Sequence, residues 1–260
     1  MKLKIMTYNI AGGRSFEKGK DYRPIIHAEL QYAEYIKTLQ PDICGLNEID
    51  YKLPRSGRVK MAQLIGDTAG YESGFAPAVS FINKYGIGTY GNGILSKHKI
   101  KEIEAFPIPD PTDTTGDPAD NYYESRVILH ALINIKGKDI DVFVSHFGLA
   151  PSEAKCAVET MVALIKQAKN PVIIMGDFNL TPDNPILDPI RELLNDTFVC
   201  YPNKNVWTYP SSELVGAKPE HYQKIDYIFV SPEFKIDSVD IPAHPLSDHK
   251  PYITYLELPD

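Results

Sequence analysis

Short apolar runs recur along the whole sequence and are the feature that most restricts its fold. Each run is too short for a buried helix and has the length typical of a β-strand. They predict strands at residues 3–8, 43–46, 93–95, 127–135, 140–144, 172–175, 225–230 and 252–256. Because these runs are spread over the whole chain, extensive β-sheet is expected.

Segments with helical spacing of apolar residues lie between the predicted strands. Apolar residues recur at three- and four-residue intervals over 30–39 and again over 157–168. Pro151 suits the first turn of a helix, and Gly70 suits the C-terminal cap of a helix that starts near Val59. The chain is therefore predicted to mix helices and strands throughout.

Gly137 lies between two predicted strands and is typical of a hairpin turn, so some of the pairing is expected to be antiparallel. A purely parallel doubly wound sheet is less consistent with this turn. No internal repeat, low-complexity tract or composition shift marks a linker. We therefore expect an α/β (α+β) fold in which residues 1–260 form a single domain.

The charge balance argues against general attraction to nucleic acid. Acidic residues outnumber basic residues, 34 to 27, and the formal net charge is −7. This is the wrong sign for non-specific binding to a polyphosphate, although a local basic groove stays open as an alternative.

Cysteine usage and hydropathy indicate the compartment. Cys44, Cys156 and Cys200 lack CxxC spacing and adjoin apolar residues, which is typical of small core residues in a reducing compartment. No segment approaches the ~20 apolar residues of a transmembrane helix, and none has the form of a signal peptide. A cytoplasmic protein is expected, with an exported protein whose signal has been removed as the alternative. No apolar hairpin is evident, so stable membrane insertion is not expected.

Polar side chains capable of catalysis fall repeatedly where a predicted strand ends and a loop begins. Loops held by a rigid scaffold are the usual place for a functional site. The residues at these positions are Asn9, Glu48, His146, Asp177 and Asn179. Nearer the C-terminus come Asp226, inside Lys224-Ile225-Asp226-Tyr227-Ile228, and then Asp248 and His249.

Most of these residues have a structural explanation when taken singly. Asn9 can bond a turn, Asp177 can cap the following segment, and His146 can be a core histidine. Asp226 differs because it lies inside a strand pattern, where a buried carboxylate without a partner is costly. A cation or a histidine is therefore expected beside Asp226.

The set as a whole favours a hard cation. Oxygen atoms of Asn, Asp and Glu suit Mg²⁺, with Mn²⁺ as an alternative, and the scattered cysteines do not form a zinc site. An unrelated serine hydrolase built on residues 247–249 is another alternative. Three adjacent residues cannot readily face one another as a triad, however, and no GxSxG elbow is present.

A series of motifs resembles the endonuclease/exonuclease/phosphatase superfamily, in the order typical of that family and over nearly the whole chain. The motifs are Thr7-Tyr8-Asn9-Ile10, Leu46-Asn47-Glu48, Tyr90-Gly91-Asn92-Gly93-Ile94-Leu95-Ser96, Ser145-His146-Phe147, Gly176-Asp177-Phe178-Asn179, Ile225-Asp226-Tyr227-Ile228 and Ser247-Asp248-His249. The resemblance implies a four-layer αββα sandwich, in which helices cover the outer faces of two packed mixed β-sheets.

The resemblance also implies roles for individual residues. The implied metal site, with Mg²⁺ as the cofactor, consists of Glu48, Asn9 and Asp248. The implied catalytic residues are His249, Asp177, Asp226 and His146, with His249 paired to Asp226. The direction of proton transfer between Asp177 and His249 stays open at this point.

Three further residues match positions that contact substrate in members of this family: Asn179, Arg126 and Asn92. An arginine can grip a phosphate with two donors, although an ion pair of Arg126 with Glu124 explains this arginine equally well. Asn47 departs from the family pattern, in which a glutamine commonly precedes this glutamate.

The expected function is Mg²⁺-dependent hydrolysis of a phosphate ester, acting on a phosphorylated small molecule, a phosphodiester or a lipid headgroup. A nuclease is the alternative, and a non-catalytic binding module is less expected because the implied catalytic residues are all present. Three long turn-rich stretches, 11–24, 107–124 and 202–224, are interpreted either as solvated surface or as the rim of a substrate pocket. The oligomeric state is not predicted.

Overall fold

Two six-stranded sheets form the centre of the protein. The structure is a computed structural model that describes residues 1–16, 28–83, 86–201, 205–211, 218–243 and 246–258. The first sheet has the order β11-β12-β1-β2-β4-β3, with β1 at Lys2–Asn9, β2 at Ile43–Tyr51, β3 at Glu72–Asn83, β4 at Gly86–Ser96, β11 at Lys235–Asp240 and β12 at Tyr252–Glu257.

The second sheet has the order β5-β6-β7-β8-β10-β9. Its strands are β5 at Lys99–Pro107, β6 at Val127–Ile135, β7 at Lys138–His146, β8 at Val172–Asp177, β9 at Asn195–Asp196 and β10 at Asp226–Val230. Each sheet contains one parallel pair, β1 with β2 and β7 with β8, while the other described pairs are antiparallel. Both sheets are therefore mixed, as expected.

Helices cover the outer face of each sheet. Helices α1 (Ala28–Leu39) and α2 (Met61–Ala69) share an apolar cluster with β1 and β2, whereas α3 (Pro151–Gln167) and α4 (Asp188–Arg191) share one with β7, β8 and β10. A third apolar cluster lies between the two sheets and takes residues from both. The two sheets and two helical layers confirm the predicted four-layer αββα sandwich.

Close approach of the sheets depends on a glycine in β2. A Cβ atom at Gly45 would lie 2.6 Å from the sulfur of Met175 in β8, so the two sheets could not pack at this separation around a larger residue. The candidate site residues lie close to this contact, because Glu48 follows Gly45 in β2 and Asp177 follows Met175 at the end of β8.

Local signals in the sequence predict several boundaries correctly. Gly70 has a φ of 84° and donates its N–H to Gly66 O at the end of α2, and Pro151 occupies the first turn of α3. Gly137, with a φ of 91°, connects the antiparallel strands β6 and β7. By contrast, β4 starts at Gly86 instead of residue 93, and β3, β5, β9 and β11 were not predicted.

The β3–β4 hairpin has an exposed apolar tip, which the sequence pattern did not reveal. Phe81, Ile82 and Ile87 are 43%, 83% and 62% exposed near the end of this hairpin. Polar residues and glycines interrupt the apolar residues, so no apolar run marks them. Among the described residues, no helix is long and apolar enough to cross a membrane.

Candidate active site

Strand register in the second sheet brings three titratable residues into one row. His146 at the end of β7 pairs with Asp177 at the end of β8, and Asp177 pairs on its other side with Asp226 at the start of β10. All three side chains are buried. Because register is fixed by the apolar core on both faces, the row follows directly from how these strands align.

The first sheet contributes Asn9, Asn47 and Glu48. Asn9 and Asn47 are partners in the parallel pair of β1 and β2. Glu48 follows at a point where the register of β2 and β4 shifts, and its φ of 59° lies in the left-handed region that few non-glycine residues adopt. A bulge of this kind re-aims a side chain, and the carboxylate of Glu48 lines the same cleft as Asp177.

His249 lies on the loop that precedes β12, and Ser247 fixes this loop. The Ser247 hydroxyl donates to Asn9 O at 2.7 Å and accepts from the backbone N–H of His249 at 3.2 Å. Ser247 is fully buried, so its hydroxyl holds the loop against β1. This geometry gives no support to a serine nucleophile at residue 247.

His249 completes a buried cluster around Asp177. Its Nδ1 lies 2.9 Å from Asp226 Oδ2, and its Nε2 lies 3.5 Å from Asp177 Oδ2. The same Asp177 oxygen lies 3.5 Å from His146 Nε2 and accepts a 3.0 Å hydrogen bond from Asn9 Nδ2. The Asp226 contact assigns a proton to Nδ1 and turns Nε2 towards Asp177 and the cleft.

Burial and the charges in this cluster together shift three pKa values. Burial opposes a charge on His249, but the negative charges of Asp226 and Asp177 outweigh it and raise the pKa of His249 to about 10. Burial, together with the charge of Asp226, raises the pKa of Asp177 to about 7 against the attraction of His249. Burial, aided by the positive charges of Arg126 and His249, holds the pKa of His146 well below its usual value.

The Glu48 side of the cleft offers oxygen atoms to a cation. Glu48 and Asp248 both line the cleft, and the side chain of Glu48 is 21% exposed. Carboxylate oxygens of this kind are suitable ligands for Mg²⁺ or Mn²⁺. Asn9 is oriented differently, because its Nδ2 donates to Glu48 Oε1 at 3.2 Å and its Oδ1 accepts from Ala11 N at 3.0 Å. In this orientation Asn9 supports the Glu48 carboxylate instead of presenting its oxygen to an ion.

A second set of atoms has the spacing of a metal site. One potential ligand atom from each of Asp177, Asp226 and His249 lies within 4.8 Å of the others. The His249 Nδ1 contact already engages Asp226, however, and Asp226 is fully buried. The carboxylates of Glu48 and Asp248 are therefore the better candidates, because an ion can reach them from the cleft.

Two of the three predicted substrate-binding residues line the cleft. Asn179 has a φ of 52° and anchors its Nδ2 on Phe147 O at 3.0 Å. Arg126 Nη1 lies 3.1 Å from Glu124 Oε1, and both of these side chains line the cleft. Arg126 therefore forms the ion pair with Glu124 and also lines the cleft that a substrate would enter.

Asn92 lies behind the site, in a bridge between the two sheets. Its Oδ1 accepts from Asn47 Nδ2 at 2.8 Å, and its Nδ2 donates to Val127 O at 2.8 Å. Asn47 also donates to Ser145 O at 3.0 Å and accepts from the backbone N–H of Asp177 at 3.0 Å. Sequence reasoning missed this bridging role of Asn47, whose only signal was the departure from glutamine.

The second and third long stretches contribute residues to the cleft, which has a volume of about 400 Å³. Arg14 approaches Glu48 from the first stretch, Glu124 lines the cleft from the second, and Tyr209 and Gln223 line it from the third. The basic residues of the first stretch that lie outside the described residues are Lys18, Lys20 and Arg23.

Comparisons with known proteins agree with this architecture. The structure is similar to an endonuclease/exonuclease/phosphatase from Bacteroides vulgatus, with a TM-score of 0.73 and 20% identity over 100% of both chains. It is similar to a mannosyl-6-phosphatase from Bacteroides thetaiotaomicron, with a TM-score of 0.70 and 17% identity over 98% of this chain and 99% of that one. A humanized D. rerio TDP2 gives a TM-score of 0.68 and 16% identity over 98% and 99% of the two chains.

These structural similarities show a shared fold, and the sequence gives the family. Residues 6–249, from β1 to His249, match the sequence model of the Endonuclease/Exonuclease/phosphatase family. This chain therefore belongs to the Endonuclease/Exonuclease/phosphatase family.

Proposed function

We propose that this protein is a divalent-metal-dependent hydrolase of phosphate ester bonds. The observation that carries the proposal is the position of His249, which contacts Asp226 and faces Asp177 across 3.5 Å in a cleft that Glu48 also lines. Paired groups whose environments shift their pKa values apart are typical of acid–base catalysis. A binding module without activity has no need of this arrangement.

In the proposed reaction His249 acts as the acid and Asp177 as the base. The raised pKa of His249 keeps its ring protonated near neutral pH, so Nε2 can donate a hydrogen bond to a phosphoryl oxygen as negative charge accumulates there. Asp177, with a pKa of about 7, can accept a proton from the attacking water. Neutral His146 helps to orient Asp177, from which its Nε2 is 3.5 Å distant.

The remaining residues bind the phosphate and the cation. Glu48, with Asp248 nearby, would hold Mg²⁺ or Mn²⁺, which supplies positive charge to a non-bridging phosphate oxygen. Arg126 and Asn179 contribute hydrogen-bond donors on the same cleft.

A phosphorylated small molecule is the proposed substrate class. The cleft volume of about 400 Å³ is in the range of small-ligand sites. Among the described residues that line this cleft, Arg126 is the one arginine or lysine, so no track of cations for successive phosphates accompanies it. The similarity to a mannosyl-6-phosphatase supports a phosphomonoester, and a phosphodiester is the alternative.

A lipid headgroup is a second candidate, which the exposed hairpin tip favours. Ile87 precedes Tyr90 by three residues on β4, and Tyr90 lines the cleft. Ile87 therefore lies on the strand that forms part of the cleft wall, and the exposed side chains of Phe81 and Ile82 lie on the neighbouring strand β3, where Ile82 pairs with Ile87. An apolar surface beside a phosphate site suits a substrate at a lipid surface.

The test is a screen with Mg²⁺ and Mn²⁺ against p-nitrophenyl phosphate, bis-p-nitrophenyl phosphate, sugar phosphates, phospholipid headgroups and DNA. Glu48→Ala is the control for contaminating phosphatases. We expect hydrolysis of at least one small ester that EDTA and Glu48→Ala both abolish. Full activity in EDTA would reject the metal, and strong salt-sensitive DNA cleavage would replace the proposed substrate class with nucleic acid.

We also propose that residues 1–260 form one domain in a reducing compartment of the cytoplasm. The domain assignment is supported by the apolar cluster between the sheets, which combines Ile5 and Ile94 of the first sheet with Val144 and Met175 of the second. The compartment is supported by the three cysteines, each of which is unpaired among the described residues.

A further inference from the structure

Arg14 is directed at Glu48 by a tight turn after β1. The residues of this turn, Ala11, Gly12 and Gly13, have φ values of 51°, 66° and 71°, so three consecutive residues are left-handed. Two glycines supply this conformation without steric cost. The turn follows the end of β1 and places Arg14 beside Glu48 in β2.

Two contacts fix Arg14 in this position. Its Nε donates to Ala11 O at 2.6 Å, and its own carbonyl accepts from the hydroxyl of Tyr32 on α1 at 2.8 Å. The turn packs closely as well, since a Cβ atom at Gly13 would lie 2.9 Å from Met61. The guanidinium therefore projects from a supported backbone.

Both carboxylate oxygens of Glu48 have a donor close by. Oε1 accepts from Asn9 Nδ2 at 3.2 Å, and Oε2 lies 3.5 Å from Arg14 Nη2. Of these two donors only Arg14 carries a charge. Its guanidinium thus balances the charge of Glu48, whose carboxylate lines the same cleft as those of Asp177 and Asp248.

We propose that Arg14 is the counter-cation of Glu48 in the metal-free protein and that it competes with the divalent metal for this carboxylate. The inference rests on the proposed function, in which Glu48 is the main metal ligand. An ion bound to Glu48 would stand beside the guanidinium with like charge, so binding has to displace Arg14 or act against its repulsion. Arg14 therefore weakens the affinity for the metal. In the metal-free protein its positive charge offsets the negative charge of the carboxylates.

The test is the Mn²⁺ affinity of the full chain, measured by electron paramagnetic resonance of free Mn²⁺, for wild type and Arg14→Met. We expect Arg14→Met to bind Mn²⁺ about three- to ten-fold more tightly at low ionic strength, with a smaller gain at high salt. If Arg14 only supported the fold, Arg14→Met would loosen the site and bind Mn²⁺ more weakly than wild type. Equal or weaker Mn²⁺ binding by Arg14→Met with a normal melting curve would overturn the proposal.

Two variants separate a direct contact from the general potential of the cleft. Arg14→Lys keeps the charge and is expected to stay near the wild-type affinity. Arg126→Met removes a cation that pairs with Glu124 in the same cleft, and we expect a clearly smaller gain. If Arg14→Lys matched Arg14→Met, or if Arg126→Met gained as much, direct competition at Glu48 would be wrong.

Glu48→Gln distinguishes failure of this inference from failure of the proposed function. We expect Glu48→Gln to lose Mn²⁺ binding whether residue 14 is Arg or Met. Loss in Glu48→Gln with no gain in Arg14→Met would keep the metal site and reject the competition. Wild-type Mn²⁺ affinity in Glu48→Gln would reject Glu48 as the ligand, and the inference with it.

Discussion

The two sides of the cleft are built in different ways. On one side, strand register aligns His146, Asp177 and Asp226, and His249 closes the cluster through a buried contact of 2.9 Å. On the other side, Glu48 stands on a bulge with a left-handed backbone, and its side chain is 21% exposed. The first side is therefore fixed by the sheet itself, while the second depends on local backbone features and on balanced charge.

This difference fits a division of the proposed chemistry. Proton transfer needs fixed distances and shifted pKa values, which a buried row of side chains provides. A cation has to enter and leave, which requires an exposed carboxylate and a partner that can give way.

His249→Ala is expected to have the largest effect of these variants. It removes the proposed acid and leaves Asp226 buried without its partner, so we expect kcat to fall by about 10³-fold or more. Steady-state hydrolysis of p-nitrophenyl esters measures this, and a melting curve checks that the variant folds. A loss below tenfold would show that the buried side does not carry the chemistry.

Asp226→Asn tests how the buried side sets its protonation. Activity should require deprotonated Asp177 and protonated His249, so it should rise through about pH 7 or lower with metal bound and fall near pH 10. Removing the charge of Asp226 removes the attraction that most raises the pKa of His249. We expect the alkaline limb of kcat to move to lower pH, with a loss of about 10²-fold at neutral pH.

An unchanged alkaline limb in folded Asp226→Asn would mean that His249 does not titrate there. The full profile of log kcat against pH for wild type and variant is the measurement. Arg14→Met lies on the opposite side of the cleft and is expected to keep the alkaline limb near its wild-type position, although its metal affinity changes.

Asn47→Ala tests the connection between the two sides. The substitution leaves three buried groups without their Asn47 partner: Asn92 Oδ1, Ser145 O and the N–H of Asp177. Buried groups left unpaired cost about 1–3 kcal/mol each before relaxation, so we expect a loss of about 2–4 kcal/mol in the free energy of unfolding. Urea denaturation measures it, and Asn195→Ala on the exposed edge strand β9 should change stability by less than about 0.5 kcal/mol.

Central strands could be predicted from the sequence, but edge strands could not. The four unpredicted strands, β3, β5, β9 and β11, are the two edges of each sheet. An edge strand has one neighbour and exposed positions, so selection for an apolar run is weak. β5 shows this clearly, because charged residues alternate through an almost wholly exposed strand.

The same logic applies to the site. Asp177, Asp226 and His249 could be anticipated because each lies in or next to one end of an apolar strand, and the structure brings them together. Asn47 and Arg14 could not, because their contacts depend on how the sheets pack and on a left-handed turn. Neither property is encoded in the spacing of residues along a strand.

Glu29→Gln is the smallest expected effect, and it concerns the support behind the Arg14 turn. Glu29 is fully buried at the start of α1, and a Cβ atom at Gly13 would lie 3.2 Å from it. Among the described residues neither of its carboxylate oxygens has a hydrogen-bond partner. Burial, with a contribution from the charge of Asp50, raises the pKa of Glu29 to about 7.

The sign of the effect follows from proton linkage. The pKa of Glu29 is higher in the folded chain than in the unfolded chain, so the folded chain binds more protons. The contribution of Glu29 to the free energy of unfolding is therefore fully present below about pH 4.5 and is lost as the pH rises through about 7. Glu29→Gln removes this loss. We expect similar melting temperatures at pH 5, but at pH 8 a variant more stable by on the order of 1–2 kcal/mol. Glu34→Gln, on the exposed face of α1, is the matched control. A gain at pH 8 shared by both variants would point to general surface charge and not to the carboxylate beneath the turn.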